Sequence, residues 1–371
     1  MTTTINNEHK KLNVPNLRFP EFQGEWEKCK LGDYGKVVTG NTPPTKDIEN
    51  YENGTYLWAS PADLGTIKSI TETKAMLSAQ GFSKTRTLPK GSVLVTCIGS
   101  TIGKAGMATK EMSTNQQINS IVVNDNNDNE FVYYAIQSAF PRYLSSIAVQ
   151  AVPIISKSAF EILPNNRPYL QEQKKIGKFL SLLDERITTQ NKIIDKLQSL
   201  IKGIADKLFQ TARTTKPLLE FAPNITSGTD KSGSGTIPLY GSTGIIGTVK
   251  NASQKGNIVL VARVGTIGTV QYVNEPCGVS DNALIVEAGE MTKYIYHFLK
   301  TYNFARITSG TTQPLITASS LKKAAIPTYD FESQTRIVLC LNGLEKKLDI
   351  AKQYLSEIAV MKQYLLRQMF V

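Results

Sequence analysis

Residues 98–104 read IGSTIGK and residues 264–268 read VGTIG, and the relation between these two stretches decides how the chain is built. A glycine-rich turn with Ser, Thr and Lys invites a nucleotide phosphate. A P-loop, however, needs four residues between its first glycine and the Gly-Lys pair, followed by Ser or Thr for magnesium. Gly99 and Gly103 enclose only three residues and Ala105 follows Lys104, so the cradle is one residue short and the metal-binding hydroxyl is missing. The second stretch supplies the better reading. A shift of 165 positions lays Ser100-Thr101-Ile102-Gly103 on Gly265-Thr266-Ile267-Gly268. The turn is an internal echo.

Followed outward, the echo extends over the chain, as a tandem repeat does. At the same offset Lys90-Gly91 falls on Lys255-Gly256, SVLVT on NIVLV, and Asn115–Val122 (NQQINSIV) on Ser280–Glu287 (SDNALIVE). Val152–Phe160 then matches Gln313–Leu321 at 161, and Leu31–Gly40 matches Leu219–Gly228 at 188. The first half therefore carries roughly two dozen extra residues before Lys90, which read as loop, where function tends to vary.

Each half ends in a heptad row. In the first, Ile176, Leu180, Leu183, Ile187, Gln190, Ile194, Leu197 and Ile201 step by 4 and 3, continuing to Ile204 and Leu208. In the second, Ile337, Leu341, Leu344, Leu348, Ala351, Leu355, Ile358 and, past Lys362, Leu365 and Met369 keep the rhythm 161 residues on. A seam this long argues for a coiled coil. Two amphipathic helices on separate cores are the alternative, and the matched registers favour helices packed on each other. Gln190 and Lys362 are the polar breaks. Polar seam residues can fix register, while Lys362, near an end, reads as snorkelling to solvent.

Short β-branched runs separated by Gly, Asn and Pro precede each row. The expected architecture is therefore α/β (α+β): two strand-rich globular domains in tandem, each followed by a helix of about 40 residues, roughly 60 Å long. The boundaries read 1–164 for the first globule, 165–213 for the first helix, 214–327 for the second globule and 328–371 for the second helix.

Composition narrows the function. The 371 residues are 41% hydrophobic and 20% charged, which is globular, and the net charge of +11 favours a polyanionic partner, nucleic acid before membrane. Cys29, Cys97, Cys277 and Cys340 form no C-x-x-C pair, so neither zinc nor a disulfide framework is suggested. No stretch of 18 apolar residues occurs and the N-terminus MTTTINNEHKK leads into no apolar run, so a cytoplasmic, reduced protein without membrane contact is expected. With only His9 and His297, the latter reading as a partly buried structural residue, most metal, triad and imidazole-base chemistry lacks its ligands. Asn166-Arg167-Pro168-Tyr169 resembles a methyltransferase N-P-P-Y loop only faintly and reads better as a proline at a helix start. No catalytic or metal site is expected.

What recurs is small polar and basic residues in turns. In the first half these are Thr39, Asn41, Thr42, Ser100, Thr101, Lys104, Asn115, Gln116 and Gln117. In the second they are Ser227, Thr229, Lys231, Ser242, Thr243, Arg263, Thr266, Asp281 and Asn282. Asn, Gln and Arg can read base edges, while Ser, Thr, Lys and glycine amides hold phosphates. The same residues are also ordinary turn chemistry. They are the candidate DNA contacts.

The opening NVPNLRFPEFQGEWEKCKLGDYGKVVTG, the Gly-Ser-Thr-Ile-Gly turn, LQEQKKIGKFLSLLDERI and its echo FESQTRIVLCLNGLEKKL together resemble the specificity subunit of a type I restriction–modification system. The resemblance covers nearly the whole chain. It implies two target-recognition domains, each reading one half of a split, asymmetric duplex sequence. It implies an antiparallel pair of spacer helices that docks two methyltransferase subunits, with restriction–translocation subunits joining that core. S-adenosylmethionine, ATP and magnesium would belong to those partners, and this chain would do no chemistry itself. A protein-binding scaffold of two ligand globules on a stalk is the competing reading, which the basic charge and paired polar turns disfavour.

Overall fold

The structure, a computed structural model, describes residues 13–65, 67–146, 154–310 and 314–371; His9, Val152 and Gln313 of the residues read above lie outside these. The chain forms two compact units, Met1–Gln190 with Leu355–Val371, and Asn191–Tyr354. The units divide within the two long helices rather than at the globule–helix boundaries read from the sequence.

In the first unit the elements are β1 (Glu27–Lys30), β2 (Gly35–Thr39), β3 (Tyr56–Ala59), β4 (Ser69–Ile70), β5 (Ala75–Leu77), α1 (Ala79–Ser83), β6 (Val93–Thr96), β7 (Ala105–Ala108), β8 (Ser113–Thr114), β9 (Ile118–Val123), α2 (Asn129–Ser146), α3 (Lys157–Glu161), β10 (Pro164–Arg167) and the start of α4 (Leu170–Gln210). The main sheet runs β2-β9-β6-β7-β4; a smaller one runs β5-β3-β8, and β1 pairs with β10. In the second unit follow β11 (Thr214–Pro217), β12 (Thr226–Ser227), β13 (Ile237–Tyr240), β14 (Ile245–Val249), β15 (Ile258–Ala262), β16 (Val270–Val273), β17 (Gly278–Val279), β18 (Ala283–Val286), α5 (Thr292–Thr301), α6 (Ala318–Lys322), β19 (Ala325–Thr328) and α7 (Phe331–Gln368), which ends in the first unit. Its sheets run β12-β18-β15-β16, β14-β13-β17 and β11-β19. Each sheet of the second unit has its counterpart in the first, so the repeat is one of fold as well as sequence.

The run VLVT is buried at every position because its strand is covered on both faces. Alternate side chains serve different cores, as the pleat requires. Val93 and Val95 pack with Val37, Ile121, Phe131 and Ala135, under α2. Leu94 packs with Leu57, Leu64, Met112 and Ile118 on the other face. In β15, Val259 and Val261 face Tyr294, Ile295 and Leu299 of α5, while Ile258 and Leu260 face Val273 and Val279.

That alternation corrects the sequence alignment by one residue. At offset 165 Val93 lies on Ile258, yet the helix-covered mate of Val93 is Val259. The ladders agree, since Thr96 N bonds to Lys104 O where Ala262 N bonds to Thr269 O, and Cys97 N bonds to Gln117 O where Arg263 N bonds to Asn282 O. The second half carries one extra residue before the strand, Asn257 with φ 54°, and one fewer in the turn after it. The frame therefore returns to 165 on both sides. A one-residue slip inside a strand would have turned every side chain to the wrong face. Similarly, the Leu31 amide donates to Leu163 O as the Leu218 amide does to Ala324 O, so Leu218 and not Leu219 is its counterpart.

The extra segment before Lys90 is not loop. It folds as α1, β4 and the 3-10 turns at Ile48–Asn50 and Pro61–Asp63, and β4 adds a fifth strand by pairing in parallel with β7. Elements of two to five residues carry too little periodicity to announce themselves. Residues 165–167, read as helix, are β-strand paired with β1, and the helix begins only at Leu170, after Pro168.

Both heptad rows form helices, and all sixteen seam residues from Ile176 to Ile201 and from Ile337 to Leu365 are buried or half-buried. In the first unit Ile176 and Leu180 share a core with Leu365, Met369 and Phe370. In the second, Ala205 and Phe209 share one with Ile337 and Leu341. Burying a side chain of this size stabilises by about 1.5–3 kcal/mol. Lys362 does not snorkel to solvent. Its ammonium donates to Asp184 Oδ1 at 2.6 Å and lies 5.5 Å from the Tyr134 ring centroid.

Candidate nucleic-acid interface

In the first unit the turns at one end of the main sheet converge through side-chain hydrogen bonds. Thr39, ending β2, donates through Oγ1 to Asn119 Oδ1 at 2.6 Å, and Thr42 donates to Gln116 Oε1 at 2.5 Å. Asn41 donates to Lys84 O at 2.9 Å and accepts from the Arg86 amide at 2.9 Å. Arg86 Nη1 in turn donates to Thr39 O at 2.8 Å. Asn115 is buried and bonded to Gln117 both ways, which makes it the organiser of its turn while Gln116 is exposed. Thus Thr39, Asn41, Thr42, Asn115, Gln116 and Gln117 are brought together. Lys84 and Arg86 join them from the extra segment, where reading it as loop had hidden them. Two basic residues among turn-forming Ser and Thr, in the run Ser83-Lys84-Thr85-Arg86, were the available signal.

The Ile98–Lys104 turn sits beside this cluster, with a side chain on Gly99 coming within 3.9 Å of Gln117 Nε2. Gly103 has φ +89° and lies under the Phe140 ring, as Gly268 with φ +80° lies under Phe304. A β-carbon would come within 2.5 Å of one ring and 2.7 Å of the other. These glycines are held by packing. Ser100 and Lys104 are exposed and Thr101 is half-buried, with the Lys104 stem resting on Gly65.

The second unit gathers its candidates more loosely. Gln271 donates to Gly241 O at 2.9 Å and Ser242 O at 3.3 Å, and Ser242 Oγ faces Gly265. Arg263 is bonded through its amide to Asn282 O at 3.0 Å, which brings Ser242, Arg263, Thr266 and Asn282 to the sheet end, beside exposed Thr243 and Asp281. Ser227 lies in β12, paired with Leu284. Thr229 and exposed Lys231 flank Asp230, which accepts from the Val279 amide at 2.7 Å and anchors their turn.

Burial pushes the Cys97 thiol beside the turn up to about 12, despite the Asn119 hydrogen bond, and Cys277 up to about 11. Thiols so placed are protonated and unreactive near neutrality. Among the described residues no three His, Cys, Asp or Glu side chains gather as a metal-binding cluster. His297 is buried, and its Nε2 donates to Asn342 Oδ1 at 2.9 Å, away from the turns.

The geometry defines a class: a duplicated α/β protein whose two sheets each present a rim of amide, hydroxyl and basic groups. The family profile described as Type I restriction modification DNA specificity domain matches residues 23–199 and 215–360, one match per repeat, and the chain belongs to this family. It is 30% identical over 182 residues to the type I restriction enzyme MjaIX specificity subunit of Methanocaldococcus jannaschii, covering 47% of this chain and 42% of that protein. It is 29% identical over 186 residues to the HindI specificity subunit of Haemophilus influenzae, covering 47% and 40%. The chain thus spans less than half the length of these relatives in each match. In fold it resembles the S subunit of a type I restriction–modification system from M. genitalium, with TM-score 0.68 at 20% identity over 96% of this chain and 99% of that one.

Proposed function

We propose that this chain is the DNA sequence-specificity subunit of a type I restriction–modification complex, each globule reading one half of a bipartite, asymmetric duplex target. The observation that carries the reading is duplication with divergence. Two units share one sheet plan, yet their rims carry different residues, Thr42 and Gln116 with Arg86 in one, Arg263 and Asn282 in the other. A pair of similar, non-identical readers suits two unlike half-sites. The net charge of +11 supplies attraction to phosphate.

The chain is non-catalytic in this reading and acts in the cytoplasm. Its helices pair as an antiparallel coiled-coil spacer and dock two methyltransferase subunits, and exposed Phe179, Leu182, Ile193, Leu339, Ile350 and Val360 offer apolar surface for that contact. Restriction–translocation subunits join the core. S-adenosylmethionine, ATP and magnesium are held by those partners.

The test is to express the chain with its matching methyltransferase subunit in cells lacking other adenine methylation and to map modified adenines by long-read sequencing. A single split motif that vanishes without this chain is expected. No motif from a folded complex of both proteins would favour the protein-binding scaffold. The spacer makes a further demand: four residues inserted in register into both helices add about 6 Å of rise. The unspecified gap should then grow by about two base pairs of 3.4 Å each, and an unchanged gap would remove the ruler.

A further inference from the structure

Lys68 precedes β4 in the segment that only the first half carries, and its side chain is almost wholly buried. A buried ammonium must use its donors. Lys68 Nζ gives one to Glu130 Oε2 at 2.7 Å, one to Ser181 Oγ at 2.8 Å and one to Tyr134 OH at 3.3 Å. The Tyr134 phenol donates to Asp184 Oδ2 at 2.5 Å, and Asp184 Oδ1 accepts from Lys362 Nζ at 2.6 Å. Both ammonium groups lie 5.5 Å from the Tyr134 ring centroid. One hydrogen-bonded chain thereby ties the extra segment, helix α2 beneath the sheet, α4 and α7 together, all within the first unit.

The second unit keeps only part of this arrangement. His297 stands 163 residues after Tyr134, and Asn342 and Glu345 stand 161 after Ser181 and Asp184. His297 still bonds to Asn342, and Glu345 takes its lysine from α5 itself, as Lys300, but Lys68 has no counterpart and Ile201 occupies the place that Lys362 holds in the first unit. Charge is reversed at the next position, where Lys293 matches Glu130.

We propose that Lys68, Tyr134, Asp184 and Lys362 are positioning residues that fix the angle at which the first recognition domain sits on the spacer helices, and so set how strictly the gap between half-sites is measured. This rests on the bipartite reading proposed above. The lever explains why a buried clamp matters. Rocking by roughly ten degrees at a radius of about 20 Å moves a reading surface by one base-pair step of about 3.4 Å. A chain of charged and hydrogen-bonded groups resists such rocking better than apolar contact, because displacing any member strands a buried donor or charge.

The experiment uses the chain in complex with its methyltransferase subunit and a plasmid set carrying both half-sites at the wild-type gap and at one pair shorter and longer. Lys68→Met removes the branch from the extra segment, and Tyr134→Phe keeps the ring while cutting the link to Asp184. Melting of each complex reports folding independently. Both variants should keep the half-site sequences, and the ratio of off-gap to correct-gap methylation should rise about tenfold. A purely structural role would lower yield or melting temperature and leave that ratio untouched. Either variant folded with the wild-type ratio at every gap would overturn the clamp. A wild-type complex that methylates no split motif would overturn the functional reading and this inference with it, and the wild-type lane alone distinguishes that case.

Discussion

The first unit seats its α2 helix on the spacer through Tyr134 and a carboxylate shared with Lys362; the second seats α5 through His297 and Asn342. The sheets above these seats share four strands in the same order, and the glycine turns lie under the same kind of aromatic lid. Duplication has therefore preserved what packs the core and released what joins the core to the helices. The first unit also buries a charge at the start of α4. Arg18 meets Glu172 in α4 with two bonds of 2.8 and 2.7 Å, and Trp26 Nε1 donates to the same carboxylate at 3.3 Å. In the second unit Ser333 stands where Glu172 does and is held instead by Asp330, at an exposed helix start.

The largest expected effect tests that contrast. Arg18→Met leaves the Glu172 carboxylate, 1% exposed, without its cation. Removing one partner of a buried pair costs about 3–5 kcal/mol, and denaturant unfolding should show the loss in the first unit only. A loss below about 1 kcal/mol would mean that the pair behaves as a surface ion pair and that the two helix starts are equivalent after all.

The glycine turns test the shared part. Gly103→Ala and Gly268→Ala each force an L-residue to positive φ and a methyl into an aromatic ring. The backbone term is about 1–2 kcal/mol and the contact adds to it, for about 2–3 kcal/mol each. Equal losses in denaturant melts are expected. If one variant were tolerated, the turns would differ in packing despite their matching sequence.

How much of this the sequence disclosed depends on the range of the interaction. The heptad rows were legible because each seam residue announces itself by neighbours three and four positions away, and every one is at least half-buried. The turn Gly103–Gly268 was legible because its packing demands glycine in both copies. Lys362 was misread because its partner Asp184 lies 178 residues away, where no local pattern can point. Arg86 was missed for the related reason that its segment folds through a parallel pairing of β4 with β7 and through contacts to the β2 turn. The one-residue shift at β15 was invisible because VLV and IVLV read equally well in either frame until the pleat assigns each residue a face. The polar turn residues were legible by type alone, and only coordinates separate the organiser Asn115 from the exposed Gln116.

The seats should also differ in their response to acid. Burial holds His297 below the ordinary 6.5, outweighing its hydrogen bond with Asn342 and the attraction of Glu345. In the first unit, burial and then Asp184 raise the Tyr134 phenol far above neutrality, so it does not titrate there. A histidine depressed in the folded state contributes stability that is complete above its unfolded value and declines as pH falls below about 6.5 toward the folded value. The second unit should therefore weaken before the first when melts are followed from pH 7.5 to 5.5. His297→Gln should flatten that dependence, at some loss of stability at pH 7.5. An identical slope in the variant would place the acid sensitivity elsewhere.

The smallest effect concerns the rims, the surfaces proposed above to meet DNA. Arg86 is exposed and holds the Thr39 carbonyl with one nitrogen, leaving the others of its guanidinium available to a duplex. Lys231, at the rim of the second unit, is equally exposed. A residue that only neutralises phosphate weakens binding uniformly across sequences and lowers the salt slope by about 0.9. A residue that reads a base relaxes one position of the target, by about 1–3 kcal/mol. Arg86, fixed among Thr39, Asn41 and Lys84, has the preorganisation that base reading needs, whereas Lys231 hangs from a turn anchored by its neighbour Asp230. Competition binding of the methyltransferase complex to single-substitution duplexes at two salt concentrations should therefore show Arg86→Ala relaxing one base position and Lys231→Ala flattening the salt dependence alone. The reverse pattern would make the looser rim the more discriminating one, and preorganisation by the extra segment would no longer account for the difference between the two rims.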